Sequence, residues 1–254
     1  MLLKTSLHFH TNEDPEDVID HSTEEGIDTA SNLGFDVLAL TCHGKVIHSK
    51  EHEEYAESKG ILLIPGIELN IGERMNEKRH LIVLNCEKDA EGIDTFKDLE
   101  NYKKDHPYIF VIAPHPYYPD ILSRPSLMEY AERYAHLFDA IEHSWFYSKY
   151  INKNKKAEKL AKEKNLPLVA TSDTHFFEFL DTDYCVVEAE RKTPEAVFES
   201  IKKGKFSNVT RAKRSFGEMC MPYGTHVLGK LIGRKIKENY KINIPEGRKK
   251  IMPN

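Results

Sequence analysis

Short apolar runs alternate with amphipathic or charged stretches along most of the chain, and this order of elements restricts the fold more than any other feature. Residues 2–7, 35–41, 61–69, 80–84, 109–113, 140–142, 166–171 and 184–187 read as strands. Helical patterns fill most of the gaps: a segment opening at Asp14-Pro15-Glu16-Asp17, the polar stretch up to Gly60, and residues 95–104, 126–136, 152–165 and 194–203. Strands separated by helices in this way predict a parallel sheet with crossover helices, and a chain of 254 residues suffices to close such a sheet into a single-domain barrel. The polar segment 72–79 reads as a hairpin that interrupts the alternation once.

Composition narrows the class. With 40% hydrophobic and 30% charged residues, the chain has the balance of a soluble globular enzyme. It shows no apolar run of membrane-spanning length, and its first residues, MLLKTSLHFH, lack the apolar stretch of a secretory signal, so no membrane association and a cytoplasmic location are expected. Four cysteines without CxxC spacing suggest neither a disulfide framework nor a thiolate zinc site. Charge is divided unevenly. Residues 205–254 carry 12 basic against 3 acidic side chains, while residues 1–204 carry 24 against 38.

Polar residues with metal-binding chemistry follow directly on the apolar runs. His8 and His10 follow the first, His43 the second, Glu68 ends the third, His115 follows 109–113, and Asp173 and His175 follow 166–171. In a parallel barrel those ends converge on one face, where active sites sit. A His-x-His pair on a strand end turns both imidazoles to the same side. One such histidine alone is more often structural than functional, but so many at the ends of successive elements indicate a site. Ligands of His, Asp and Glu without cysteine suit Mn, Fe or Zn, and their number exceeds the need of one ion. The remaining histidines fall mostly in helices and linkers and are left out.

Taken in order, His8-Phe9-His10, Thr41-Cys42-His43-Gly44, Gly66-Ile67-Glu68, His80, Pro114-His115-Pro116 and Ser172-Asp173-Thr174-His175 resemble the motifs of the polymerase and histidinol phosphatase, or PHP, domain family. The resemblance covers about residues 3–208 and implies a distorted (β/α)7 barrel with a centre of two or three divalent ions (Mn, Fe or Zn). Carried onto this chain, one ion takes His8, His10, Glu68 and Asp173, and a second shares Glu68 and takes His80 and His115. A third uses His43, His175 and an acidic residue after the first motif, for which Asp14 is chosen. Cys42 stands where the family has an Asp expected to support the ligands from behind, and it is read as a buried structural thiol.

Adjacent ions activate water and clamp phosphate oxygens, so the expected activity is hydrolysis of a phosphomonoester, a small phosphorylated metabolite or nucleotide, by metal-activated hydroxide. Asp173 and His175 are the expected catalytic residues, with His175 a candidate proton donor. A phosphodiesterase or exonuclease and a metal-stabilised binding module are the competing readings. Residues 1–208 are expected to form the barrel. Residues 209–254 form a basic helical extension on which Val227, Leu228, Leu231, Ile232, Ile236 and Tyr240 make an apolar stripe. That tail is expected to pack on the acidic barrel, or to attract an oligonucleotide.

Overall fold

The protein is described by a computed structural model over residues 1–73, 79–118, 127–148, 150–211 and 215. The first half runs β1 (Leu2–Phe9), α1 (Thr23–Asn32), β2 (Val37–Leu40), α2 (Lys50–Ser58), β3 (Leu62–Ile64), β4 (Gly66–Ile71), β5 (Arg79–Leu84), α3 (Phe96–Asp105) and β6 (Phe110–Ala113). The second runs α4 (Met128–Ala131), β7 (Ala140–Ser144), α5 (Asn154–Lys164), β8 (Leu168–Thr171), α6 (Phe177–Leu180), β9 (Tyr184–Glu188), α7 (Pro194–Lys202) and β10 (Phe206–Val209).

The class is α/β, as the alternation predicts, but the hydrogen-bonded ladders form two mixed sheets and not one closed barrel. Their strand orders are β10-β9-β1-β2-β3 and β4-β5-β6-β7-β8. The apolar run 61–69 is two strands, because Pro65 has no N–H to carry a ladder through. The sheets meet at two seams through single parallel bridges, Phe9 with Thr174 and His43 with Glu68. Both seams lie among the polar residues singled out above.

Side-chain alternation explains what each face buries. Val37 and Ala39 join Ile82, Leu84, Phe110, Ile112, Ala140 and Val169 in a core between the sheets, closed by Val197, Phe198 and Ile201 of α7. Their sequence neighbours point outward. Leu38 and Leu40 pack with Ile27, Ala30 and Ala56 under α1 and α2, and Leu81, Val83, Val111 and Ile141 pack under α3 and α5. Continuing the inward parity places Thr41 and His43 beyond Ala39, His80 beyond Ile82, and Glu142 beyond Ala140.

Local signals set the helix ends. The first helix does not begin at Asp14-Pro15. Its N-cap is Ser22, which forms a capping box with Glu25, and the Asp14 carboxylate instead accepts the backbone N–H groups of Glu16 and Asp17 in a turn. Residues 126–136 yield only α4 and a 3-10 turn at Ala135–Leu137. Of the expected hairpin segment 72–79, residues 74–78 lie outside the described residues, though β4 and β5 on either side pair antiparallel; of the expected basic extension 209–254, all beyond 211 except Ser215 lies outside them. Among those described, no helix is long and apolar enough to cross a membrane.

Candidate metal centre

An irregularity in β1 aims the first two histidines. Ser6 pairs with Leu38 and Phe9 with Leu40, so three residues of β1 oppose two of β2, and the extra residue shifts the parity. Leu7 therefore remains in the inner core while Phe9 turns out against α1, where its ring fills the space that a Cβ on Gly26 would need, 2.7 Å away. His8 and His10 are left facing the same interior. His80 reaches that level from the other direction: β5 is antiparallel to β4, so its first residues lie beside the C-terminal ends of the parallel strands. His115 and Asp173 follow β6 and β8 with φ of 26° and 44°, in the left-handed region that non-glycine residues rarely adopt. Such backbone strain concentrates at functional sites.

These side chains converge on Glu68. Its Oε2 lies 3.3 Å from His8 Nε2, 3.3 Å from His10 Nε2 and 3.1 Å from His43 Nε2. Its Oε1 lies 2.7 Å from His80 Nδ1 and 3.3 Å from His115 Nε2. Asp173 Oδ1 closes one side, 3.3 Å from both His8 Nε2 and His10 Nε2. His175 stacks on His10 with ring centroids 4.3 Å apart; its Nδ1–H donates to the Asp173 carbonyl at 3.0 Å and its Nε2 meets Asp17 Oδ2 at 2.7 Å. Among the described residues, four groups have the spacing to hold an ion: His8, His10 and Glu68; His10, Asp14 and His43; His10, Asp173 and His175; His43, Glu68 and His80.

The eight strand-end and loop residues expected to meet therefore do meet, and the ninth, Asp14, lies behind them. Its Oδ2 is 2.9 Å from His10 Nδ1 and 2.9 Å from His43 Nδ1, the ring nitrogens turned away from Glu68. The acid after the first motif that contacts His175 is Asp17, which is also 3.8 Å from His43 Nδ1; Asp173 Oδ1 lies 3.3 Å from His175 Nδ1. Two further participants escaped sequence reading. Glu142, fully buried, faces His8 Nδ1 with Oε2 at 2.8 Å and accepts the His115 N–H on Oε1 at 3.1 Å. His21 supports the loop from outside, its Nε2 2.8 Å from the His10 carbonyl and its ring 4.2 Å from that of Phe177. The inward parity of Ala140 and Glu142 was the available signal for Glu142; His21 had none.

Electrostatics keeps the carboxylates ionised. Burial alone would raise Glu68, yet His80, His43 and His8 hold it well below the usual carboxylate range. Asp173 is likewise held down against burial by His8 and His175. Burial works against the charge on His8, but Asp173, Glu68 and Glu142 lift it well above the ordinary imidazole value. For His175, Asp173 and Asp17 overcome burial and bring its pKa to about 10. Burial wins at His80, which falls to about 4. Cys42 takes no part: it is fully buried among Phe9, Leu38 and Leu40, its Sγ is 3.5 Å from Thr11 Oγ1, and burial pushes its thiol up to about 12.

The donor set fits divalent ions. Ligand atoms about 2.1 Å from an ion stand roughly 3.0–3.4 Å from one another in tetrahedral or octahedral geometry, and the four contacts linking His8 and His10 to Glu68 and Asp173 are each 3.3 Å. Moreover, His10 Nε2 and Asp173 Oδ1 are buried, face each other and have no hydrogen-bond partner. Leaving such groups unsatisfied costs about 1–3 kcal/mol each, a penalty that a shared ion removes.

Comparison with known proteins fits this geometry. A family model described as the PHP domain matches residues 6–164, more than half of the chain. The chain belongs to the PHP domain family. A second model, described as PHP-associated, matches residues 152–206, so PHP-type sequence continues to the last described helix and strand. No curated protein sequence matches the chain. Among solved structures, a two-domain protein from Bacteroides vulgatus containing a predicted PHP-like metal-dependent phosphoesterase is similar, with a TM-score of 0.60 and 20% identity, over 89% of this chain and 70% of its own. PsfC from Pseudomonas syringae gives 0.56 and 15% over 91% and 99%, respectively. The lesion-specific endonuclease PfuEndoQ from Pyrococcus furiosus gives 0.58 and 14% over 82% of this chain and 57% of its own. At these identities the likeness is one of fold.

Proposed function

We propose that this PHP protein is a metal-dependent hydrolase of phosphomonoesters, acting on a small phosphorylated metabolite or nucleotide. The observation that carries the reading is the set of four equal 3.3 Å contacts joining His8 and His10 to Glu68 and Asp173, with buried ligand atoms on His10 and Asp173 that an ion would satisfy. These four residues would hold one divalent ion, and Glu68 with His80 and His115 would hold a second. When bound, such ions would supply an activated water, its pKa brought from 15.7 towards ~7, and charge neutralisation for a phosphoryl group.

The protein's own groups do the rest. Glu68 offers Oε2 to His8, His10 and His43 and Oε1 to His80 and His115, and so would join the two halves of the centre. His175, whose Nδ1–H donates to the Asp173 carbonyl and whose Nε2 lies 2.7 Å from Asp17 Oδ2, is placed to hold a proton and supply it to the leaving oxygen. A third ion held by His175 and Asp17 would occupy the same lone pair, so His175 serves as proton donor only when two ions are bound. Residues 1–208 constitute the catalytic unit.

Phosphate release from sugar phosphates, histidinol phosphate, nucleoside mono- and bisphosphates and short oligonucleotides, measured after reconstitution with Mn, Fe or Zn, tests the reading. Release from a monoester that is lost on chelation, and lost in Asp173→Asn and His10→Ala proteins, is the expected result. Cleavage of oligonucleotides with monoesters left intact would instead assign the centre to phosphodiester chemistry, the work of the endonuclease that shares this fold. Silence towards every compound with metal bound would favour a metal-stabilised binding module.

A further inference from the structure

Each imidazole can offer a metal either ring nitrogen, and which one is available depends on what the other nitrogen meets. In His8, His10 and His43 the Nε2 atoms face the interior, at 3.1–3.3 Å from Glu68 Oε2. Their Nδ1 atoms all meet buried carboxylates on the far side. Glu142 Oε2 stands 2.8 Å from His8 Nδ1, and Asp14 Oδ2 stands 2.9 Å from the Nδ1 of both His10 and His43. A carboxylate only accepts hydrogen bonds, so each of these contacts requires a proton on Nδ1.

Asp14 itself is fully committed. Its Oδ1 accepts the backbone N–H groups of Glu16 and Asp17 at 2.8 and 3.0 Å, and its Oδ2 accepts the His43 backbone N–H at 2.8 Å besides the two imidazoles. Five donors fill a carboxylate with about four lone-pair sites, which leaves none for an ion. Glu142 uses one oxygen on each of two partners, Oε2 on His8 Nδ1 and Oε1 on the His115 N–H at 3.1 Å. Both side chains are buried, and no other group in these contacts can supply an acceptor.

We propose that Asp14 and Glu142 are positioning residues that lock His8, His10 and His43 in the Nδ1–H form, so that three Nε2 lone pairs are aimed at the candidate metal centre. Asp14 is then not a metal ligand, and it does for two histidines what Glu142 does for one. The inference rests on the reading of the cluster as a metal centre.

The locking follows from the fold. Asp14 can reach two strands' histidines because its turn, pinned by Glu16 and Asp17, lies across the ends of β1 and β2. In Asp14→Asn an NH₂ group must face either two backbone N–H groups or two Nδ1–H groups and the His43 N–H. Relief on the imidazole side moves the proton of each ring to Nε2, where it points into the centre and removes the lone pair an ion needs. Glu142→Gln does the same at His8 alone.

The test uses Zn²⁺ alone as the probe. Competition titrations against a chromogenic chelator give affinity for the wild type, Asp14→Asn and Glu142→Gln proteins, and long-range ¹H–¹⁵N spectra of the Zn-loaded wild type report which ring nitrogen is protonated. Expected are Nδ1–H signals for His8, His10 and His43, and roughly 10- to 100-fold weaker Zn binding in each variant, with circular dichroism of the metal-free variants unchanged. Nε2–H signals from these rings in the Zn-loaded wild type would overturn the proposal even if a variant fails to fold. So would variants that fold and bind Zn as tightly as the wild type. Failure of the wild type to bind Zn at all would remove the metal centre itself and the proposal with it, whereas Zn binding without phosphate release leaves the positioning role standing and sinks only the hydrolase reading.

Discussion

At the scale of single residues, the pocket shows how position converts identical side chains to different uses. His80 and His175 both border the carboxylates, yet burial lowers the first to about 4 while Asp173 and Asp17 raise the second to about 10. His21 illustrates the same rule behind the His10 backbone. Burial lowers it to about 4, so the folded protein refuses a proton that the unfolded chain takes up near 6.5. Its contribution to stability is complete above about pH 6.5 and falls as the pH drops towards 4. His21→Gln can keep a hydrogen bond to the His10 carbonyl but has no titrating ring. The stability advantage of the wild type over this variant, followed by urea denaturation, should therefore shrink between pH 7 and pH 4; an advantage independent of pH would contradict the assignment.

At the scale of elements, the seam between β2 and β4 is where packing meets function. Gly66 lies so close to the end of β2 that an added Cβ would stand 2.9 Å from the Leu40 carbonyl and 2.8 Å from Leu84 Cδ2. The His43–Glu68 bridge that brings these two candidate ligands together lies just beyond this contact. Gly66→Ala should thus separate the strands, destabilising the protein by about 1–3 kcal/mol and weakening metal binding as Glu68 withdraws. Thermal melting and a metal titration read the two effects, and a stable variant with unchanged metal affinity would show the close approach to be dispensable. Ser22→Ala removes the N-cap of α1, a side chain that bonds the Glu25 N–H and none of the candidate ligands, and should cost about 1 kcal/mol with metal affinity intact, which makes it the control for mere destabilisation.

Across the whole molecule, a buried group of imidazoles and carboxylates joins the two sheets at both seams, so stability and metal content are linked. An ion bound only by the folded state stabilises it by about 2.7 kcal/mol at a concentration 100 times its dissociation constant. Adding Mn²⁺ or Zn²⁺ should raise the melting temperature and a chelator should reverse the rise; no shift would argue against a folded-state metal centre. The pH dependence of the metal-free protein follows from the raised histidines. His175 binds its proton up to about pH 10 when folded and to about 6.5 when unfolded, so its stabilising effect is complete below 6.5 and is lost as the pH rises through about 10. Glu68 and Asp173, held low, stabilise above the ordinary carboxylate range and lose that effect on acidification. Metal-free protein should accordingly be most stable near neutrality and weaken both towards pH 10 and on acidification, which denaturation followed across the pH range would read.

The sequence alone determined the α/β class, the residues that gather around Glu68 and the family, because strand periodicity, the ligand chemistry of His, Asp and Glu, and motif order are local properties. It predicted the wrong start for α1, since Asp14-Pro15 has the composition of a helix cap while its carboxylate is drawn instead to two imidazoles distant in sequence. It merged β3 with β4, since a proline in an apolar run breaks hydrogen bonding without breaking hydrophobicity. Only the tertiary structure decided that the strands form two bridged sheets, that Asp17 and not Asp14 meets His175, and that Glu142 stands behind His8. A carboxylate's role depends on which ring nitrogen it faces, and that is settled by the parity shift in β1, the reversed course of β5 and the packing of one sheet edge on another.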